Sequence, residues 1–547
     1  MRIGLDFDNT IANYDQAFLA VAQLLGVHTD ATNKVDLRRE LLATEGGEET
    51  YQRIQGLVYG RHIEQADVHP GFFEFMRRAR LVGHELFIVS HKTEYGHHDD
   101  KRTPLREAAL KWLESRDVIG DSRLQIPRTN VKFLETRAAK IRTINNLHLD
   151  YFVDDLAEVL EDDALSSRTR RVWFSQPVQP VPSVAHSGSQ GAQAISRHSS
   201  WRSISSEILS DLSTSEVASI IEDEWPSVAV NDVVSIDGRG HSRIFRVQTT
   251  DNTYALKLYP DLALDPRPRR MREWQALELL NRENLPVPSA RATSEALNWS
   301  LIEWIDGVPP EKDREGALAQ AAQFVGELLR LSRGSPTGIG FATESCLRPS
   351  AILEQIDTRV ARLREVHDER LAEFLNEHVA PERDARASRA KADLLSVWDK
   401  EIAPDRRILS PSDFGFHNAL VTDAGMLIFY DFEYFGWDDP VKLVADFVLH
   451  PGSAMGAESQ AWWLTAMLST FEADDTFAPR LRACLPLYAL RWTLILLNEF
   501  LHDKSRGRMF AKDIVESQLP NLRATQLGKA RDMLHSPIPV VSPGKGW

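Results

Sequence analysis

Apolar residues follow two regimes along this chain. Up to residue 175, short apolar runs alternate with stretches of helical period. Residues 2–7, 85–90 (ELFIVS) and 151–153 with their flanks have the length and composition of strands, while 72–81 and 105–113 read as helices between them. Such alternation predicts an α/β unit, a Rossmannoid parallel sheet with helices on both faces. Residues 16–66 are mostly helical and interrupt it, as an inserted small helical cap would. After residue 205 the order changes. Residues 233–247 and 253–259 read as antiparallel strands, a helix follows over 269–282, and more strand leads to Trp304. From residue 315 onward the pattern is mainly helical, with one hairpin near residue 425. A strand-rich small lobe (206–307) before a helical large lobe (308–547) predicts a bilobal α+β domain with a cleft between its lobes. Residues 176–205 are rich in Ser, Pro, Gln and Gly without a sustained period, the composition of a flexible linker.

Composition narrows the function classes. A chain of 547 residues is too long for one hydrophobic core, and 43% hydrophobic with 26% charged residues excludes a largely disordered, collagen-like or coiled-coil protein. The net charge of −15 repels a phosphate backbone, so no nucleic-acid partner is expected. Two cysteines, Cys346 and Cys484, can build neither a disulfide framework nor a Cys-rich zinc site, and point to a reducing compartment. The first five residues show no signal peptide. The apolar segment 485–501 is broken by Arg491, Asn498 and Glu499, so it reads as a buried helix and not a membrane span. The expected location is the cytoplasm.

The chemistry begins at Asp6-Phe7-Asp8-Asn9-Thr10. Residues two apart on a strand face one way, so Asp6 and Asp8 converge just past the strand end. Two adjacent carboxylates repel unless a cation or a proton sits between them, and both remedies suit phosphoryl transfer. The competing reading is a solvated Asp-rich turn. Ser90 ends a later strand, Lys140 lies on a helix-like stretch, and Asp154-Asp155 end a further strand. In this order the pieces resemble the haloacid dehalogenase-like phosphohydrolase superfamily over residues 1–175. The resemblance implies Asp6 as nucleophile and Asp8 as acid/base. It also implies Thr10, Ser90 and Lys140 as phosphate binders, and Mg²⁺ held among Asp6, Asp8, Asp154 and Asp155. Lys132 is a rival to Lys140, which stands closer to the spacing expected before the acidic pair. The polar loop 91–99 reads either as substrate recognition, by Lys92 or a histidine, or as a solvated loop.

A second constellation lies downstream. Gly238 and Gly240, between strand patterns, read either as a plain hairpin or as glycines that allow backbone amides to approach phosphate. Lys257 stands in an apolar strand, where it needs a partner, and Glu273 on the next helix is the candidate. Asp413 precedes Asn418 by five residues, and Asp423-Ala424-Gly425 turns a hairpin that returns Asp431 close to Asn418. Asn418 and Asp431 offer hard oxygen ligands for Mg²⁺, and Asp413 is left to accept a hydroxyl proton. The arrangement resembles the aminoglycoside phosphotransferase and choline kinase-like family, with its protein-kinase-like fold, over residues 206–547. The resemblance implies a hinge at 301–307, where Glu303 and Ile305 meet adenine, and ATP as donor. One departure is Pro411, where the family usually has His. The charged segment 352–395 reads as a helical insertion that shapes acceptor choice, or as a solvated helical pair.

Two phosphoryl-handling sites predict a bifunctional Mg²⁺-dependent enzyme. A kinase would act on a small hydroxylated acceptor; the loops Ser90-His91-Lys92-Thr93 and 410–418 are similar to those of proteins associated with surface-polysaccharide precursors, and that resemblance implies a sugar or sugar phosphate. A phosphatase would act on a related metabolite through an aspartyl-phosphate. The alternatives are an antibiotic or choline-type kinase with a fused phosphatase, or one degenerate domain regulating the other. A nucleic-acid end-processing enzyme would pair the phosphatase with a P-loop kinase, and no G-x-x-x-x-G-K-[ST] is present.

Overall fold

The main sheet of the N-terminal part is parallel. The computed structural model describes residues 1–96, 99–175, 194–236, 242–260, 265–310, 315–453, 455–501 and 518–539. Strands β1 (Arg2–Leu5), β2 (Glu85–His91), β3 (Val131–Leu134), β4 (Tyr151–Asp154), β5 (Arg170–Phe174) and β6 (Ile195–His198) form one sheet in the order β3-β2-β1-β4-β5-β6. Every neighbouring pair in it is parallel. Its central strands are apolar runs with no exposed face: Ile3, Leu5, Leu86, Ile88, Phe152 and Val153 are fully buried. Sequence order reverses on either side of β1, so the carboxyl ends of β1, β2 and β4 open one crevice, where such sheets receive ligands.

Helices α1 (Asp15–Leu24), α2 (Lys34–Leu42) and α3 (Gly47–Val58) are inserted between β1 and the helix α4 (Phe72–Leu81). Their stem is closed by a two-residue antiparallel ladder that pairs Ala12 with Val68 and Asn13 with Asp67. Helices α5 (Leu105–Ser115) and α6 (Arg137–Asn146) complete the crossovers that the periodicity anticipates.

The linker reading fails beyond residue 193. Ile195–His198 is the edge strand β6, paired with β5 from Arg171 to Phe174. It leads into α7 (Trp201–Ile208) and α8 (Thr214–Glu224). Trp201 is fully buried, with ring centroids 5.0 Å from Phe72 and 4.9 Å from Phe75, and its indole N–H donates to the Thr10 carbonyl at 2.9 Å. Glu216 closes a capping box with Ser213 and meets Arg78 at 3.1 Å. A four-residue strand in Ser-rich surroundings carries no period, which is why composition alone places the boundary too early. The compact unit runs through Met1–Ala229, with Asp261–Pro266 and Glu295–Leu297.

The second unit comprises Val230–Pro260, Arg267–Ser294 and Asn298–Trp547. It opens with β7 (Val230–Ile236), β8 (Arg243–Thr249), β9 (Thr253–Leu258), β10 (Ala290–Ser294) and β11 (Trp299–Glu303). These pair antiparallel in the order β10-β11-β9-β8-β7. The expected run 233–247 is thus two strands, and Gly238 and Gly240 lie outside the described residues. Helix α9 (Arg269–Arg282) falls where its pattern predicts.

The rest is built on helices α10 (Glu315–Arg333), α11 (Pro349–Arg364), α12 (Pro440–Leu449) and α13 (Phe477–Ile495). Two short antiparallel ladders sit among them. Strand β12 (Ile408–Ser410) pairs with β15 (Gly436–Asp438), and β13 (Ala419–Val421) pairs with β14 (Leu427–Phe429) around Gly425 at φ 77°. Phe414, Phe447 and Trp463 anchor this core, the last two stacked at 3.9 Å. The segment 485–501 is a buried helix with a 3₁₀ continuation, and its Arg491 is satisfied internally by Asp446. Among the described residues no helix is long and apolar enough to cross a membrane.

Candidate active sites

In the N-terminal unit the ends of β1 and β4 bring the predicted carboxylates together. Lys140, on α6, reaches Asp6 Oδ1 at 2.5 Å and Asp154 Oδ2 at 2.6 Å, and is itself almost fully buried. Lys132 is exposed on β3, so of the two lysines it is Lys140 that meets the cluster. Carboxylate oxygens of Asp6, Asp154 and Asp155 lie within 4.8 Å of one another. Three carboxylates against one lysine leave a formal charge of about −2, which suits a divalent cation with hard oxygen ligands. Burial lifts the Asp6 carboxyl to about 7 against the pull of Lys140, with Asp154 and Asp8 pushing the same way. Asp155 is raised too, by burial and by the neighbouring carboxylates, and accepts a hydrogen bond from the Asn9 amide at 3.1 Å.

Asp8 is held apart from that cluster. Lys92 Nζ lies 2.9 Å from each of its oxygens, and the Tyr14 hydroxyl donates to Oδ1 at 2.6 Å. Lys92 therefore leaves the solvated-loop reading behind: it is buried and turned inward. The bend that separates Asp8 from Thr10 puts Asn9 at φ 59°, a strained conformation of the kind that gathers at functional sites. Thr10 is buried, and its hydroxyl has no hydrogen-bond partner. Asp6, Asp8, Ser90 and Lys140 line one cavity of about 670 Å³ with Lys34 and Arg38 from the cap helix α2. Lys34, whose ammonium donates to the Asn9 side chain, gave no sequence signal, since a lysine on an amphipathic helix reads as solvated.

In the second unit Lys257 is buried and contacts Glu273 Oε2 at 2.8 Å and Asp431 Oδ1 at 2.5 Å. The expected partner is thus met. Glu273 is fixed from two further sides, by the Tyr259 hydroxyl at 2.6 Å and the Phe432 amide at 3.2 Å. Glu433, which the sequence reading leaves without a role, stands 3.4 Å from Lys257 and pairs with Arg269. Burial raises Asp431 to about 7 against the pull of Lys257, helped by Glu433 and Glu273. Asp431 is at φ 69° and Ser412, before Asp413, at φ 67°.

The hairpin pairs as the turn signal predicts, with the Tyr430 amide donating to the Asn418 carbonyl at 3.0 Å. The Asn418 side chain is turned to Asp413, donating to its backbone oxygen at 3.0 Å. Asp413 Oδ1 also faces His417 Nε2 at 3.1 Å and His450 Nε2 at 3.7 Å. Burial would raise the Asp413 carboxyl, but the two imidazoles and Asn418 hold it well below the usual range. Both histidines escape sequence reasoning. His417 sits inside the motif but names no partner, and His450 arrives from the end of α12.

The Glu303 amide donates to the Ser289 carbonyl at 2.8 Å, and the Glu303 carboxylate accepts the Ser289 amide at 2.9 Å, at the start of an irregular stretch that includes Ile305. At Pro411 the chain is held by other means. The Ser410 hydroxyl accepts the Ser412 amide at 3.0 Å, and Lys442 donates to the Ser412 hydroxyl at 3.0 Å.

Residues 232–479 match the phosphotransferase enzyme family. The phosphotransferase domain thus includes Lys257, Glu273, Asp413, Asn418 and Asp431, while the N-terminal parallel sheet lies outside the matched residues. No curated protein matches the chain. Solved structures similar to it include a choline kinase from Streptococcus pneumoniae, 16% identical, covering 59% of this chain and 99% of that one with a TM-score of 0.38. A Plasmodium vivax ethanolamine kinase is 14% identical, covering 60% and 93% with a TM-score of 0.39. A spectinomycin phosphotransferase, solved with ADP and spectinomycin, is 10% identical, covering 58% and 99% with a TM-score of 0.40.

Proposed function

We propose that the chain is a bifunctional Mg²⁺-dependent enzyme. Its phosphotransferase domain is an ATP-dependent kinase for a small hydroxylated acceptor, a sugar or sugar phosphate of surface-polysaccharide precursor synthesis. Its N-terminal unit is a haloacid dehalogenase-like phosphatase. The observation that carries the reading is the same arrangement at each predicted site: Lys140 bound to Asp6 and Asp154 with Asp155 alongside, and Lys257 bound to Glu273 and Asp431 with Glu433 alongside, both lysines buried. Mg²⁺, held by Asp6, Asp154 and Asp155 in one unit and by Asp431 with Asn418 in the other, would neutralise phosphate charge.

In the phosphatase, the Asp6 carboxylate attacks phosphorus and the ester P–O bond breaks. The departing oxygen takes its proton from Asp8. Asp8 then takes a proton from the water that attacks the aspartyl-phosphate, which releases phosphate and restores Asp6. Lys92 and Tyr14 hold the Asp8 carboxyl group in place, and Thr10, Ser90 and Lys140 hold the phosphate oxygens. In the kinase, Asp413 accepts the acceptor's hydroxyl proton as that oxygen takes the γ-phosphoryl group and ADP departs. Lys257, positioned by Glu273, meets the donor phosphates, with adenine at Glu303 and Ile305. The two activities act at different positions of a molecule or are regulated separately, since simultaneous opposed action at one position only hydrolyses ATP. A cytoplasmic setting suits the two free, buried thiols of Cys346 and Cys484.

The test is a screen of the full chain with Mg²⁺ against sugars, sugar phosphates, aminoglycosides and choline. Asp6→Asn is expected to abolish phosphate release alone, and Asp413→Ala to abolish ATP-dependent transfer alone. Phosphate release that survives Asp6→Asn removes the phosphatase assignment, and a preference for aminoglycosides over sugars removes the sugar assignment.

A further inference from the structure

Asp413 and His450 line one cavity of about 760 Å³. Its lining balances five arginines against five carboxylates. Glu344 is held by Arg359 at 2.5 Å and Arg491 at 2.8 Å, and Glu354 by Arg348 at 2.7 Å. Balanced charge of this kind leaves recognition to single hydrogen-bonding groups placed beside the base.

His450 is such a group. The Gly452 amide donates to its Nδ1 at 2.9 Å, so Nδ1 keeps its lone pair and the proton of the neutral ring sits on Nε2. Burial keeps the ring neutral, with its pKa pushed down to about 4. Asp413 Oδ1 lies 3.7 Å from Nε2, too far for a hydrogen bond, and His417 Nε2 already meets that oxygen at 3.1 Å. Among the described residues the Nε2 proton therefore finds no acceptor, although it points at the neighbourhood of the base. The ring is held in this attitude. It stacks on His417 with centroids 3.5 Å apart and 6° between the planes, and it stands edge-on to Trp492 at 4.5 Å.

The same hydrogen bond decides against a metal at this place. Asp413, His417 and His450 are close enough to hold one ion. A metal on His450 Nε2 needs the ring proton on Nδ1, where the Gly452 N–H already points. What the Gly452 contact leaves at Nε2 is a neutral donor, and its partner is an oxygen of the ligand.

We propose that the acceptor of the phosphotransferase domain carries an oxygen on the carbon next to its reacting hydroxyl, as a vicinal diol does, and that His450 Nε2 donates to that oxygen as a specificity-determining contact. This rests on the kinase reading with Asp413 as base. The reacting hydroxyl gives its proton to Asp413, and its oxygen forms the bond to the γ-phosphorus. The bond from that phosphorus to the bridging oxygen breaks and ADP departs, while His450 keeps its proton throughout. Partners 3.7 Å apart suit two oxygens on adjacent carbons. Donation to the attacking oxygen itself would draw off the electron density it needs at phosphorus. Choline and ethanolamine carry an ammonium group on the adjacent carbon, which has no lone pair to accept the Nε2 proton.

The test measures ATP-dependent transfer by the full chain to glucose, galactose, mannose, their 6-phosphates, choline and ethanolamine. For the best sugar acceptor, deoxy analogues lacking one hydroxyl each are then compared. Expected is a kcat/KM about tenfold or more above that of choline and ethanolamine, and a loss of about tenfold for the analogue without the hydroxyl next to the phosphorylated position. His450→Phe keeps a ring against His417 and removes the donor. The loss of kcat/KM that it causes should be about fivefold or more greater for the parent sugar than for that analogue. Equal losses for the two acceptors overturn the proposal, because they mean that His450 acts through Asp413 or through the fold. A deoxy analogue that the wild type uses within about twofold of the parent overturns it without any variant. Transfer to none of the sugars, or choline or ethanolamine preferred to all of them, overturns it too. Transfer that survives Asp413→Asn removes the kinase reading itself, a result distinct from indifference to the neighbouring oxygen.

Discussion

Two imidazoles stacked at 3.5 Å share one carboxylate oxygen of Asp413, and this geometry makes the stability of the phosphotransferase domain depend on pH in a calculable way. Burial, followed by the charge of His417, lowers His450 to about 4. An unfolded chain takes up the corresponding proton near pH 6.5 and the folded domain only near 4. Between these values the unfolded state binds more protons, so stability rises with pH and falls on acidification. At about 1.4 kcal/mol per pH unit, the whole window is worth about 3 kcal/mol, of which about 2 is lost by pH 5. His450→Gln removes that titration. The variant should be less stable than the wild type by about 1 kcal/mol at pH 8, where it loses only ring packing. By pH 5 the wild type has lost about 2 kcal/mol that the variant keeps, so the order reverses and the variant is the more stable by about 1 kcal/mol. Urea melts read by hydrogen exchange on peptides from Pro440–Leu449 score this domain separately from the N-terminal unit. The difference between the two proteins cancels the titrating groups that His450 does not contact. A gap of the same size at pH 8 and pH 5 would refute the reasoning.

Two further outcomes are expected. Lys92→Met strips both Asp8 oxygens of their ammonium partner, and phosphate release should fall about 10²-fold or more while ATP-dependent transfer is untouched; equal loss of both activities would point to unfolding instead. Trp201→Ala empties a fully buried site and should cost the N-terminal unit about 3–5 kcal/mol, whereas Trp201→Phe keeps a ring against Phe72 and Phe75 and should cost about 1 kcal/mol for the lost bond to the Thr10 carbonyl. Hydrogen exchange in Phe72–Leu81 reads both, and unchanged protection in Trp201→Ala would show that the segment is not integral to the fold.

Much of this organisation was legible in the residues. Strands and helices with an unbroken period fall at their expected places, as Phe72–Leu81 and Arg269–Arg282 do, because one apolar face per element settles both type and register. The Lys257–Glu273 pair was legible because a lysine in an apolar strand demands a counter-charge nearby. Contacts between residues far apart in the chain were not. Lys92 meets Asp8 across 84 positions, and His450 reaches Asp413 from the end of a helix that carries no motif. Neither residue type nor spacing marks such pairs. The edge strand Ile195–His198 was hidden for a different reason: its sheet neighbour, Arg170–Phe174, gives four polar-leaning residues their strand identity.

That edge strand decides where the chain can be divided for separate study. A fragment ending at residue 175 would leave Arg170–Phe174 with an open hydrogen-bonding edge and strip Phe72, Phe75 and Phe174 of the tryptophan that covers them. Exposed edges and uncovered aromatic clusters are what drive chains to associate. A fragment ending at Ala229 keeps the edge paired and the aromatic cluster sealed, and is the piece to prepare when phosphate release is assayed without the kinase.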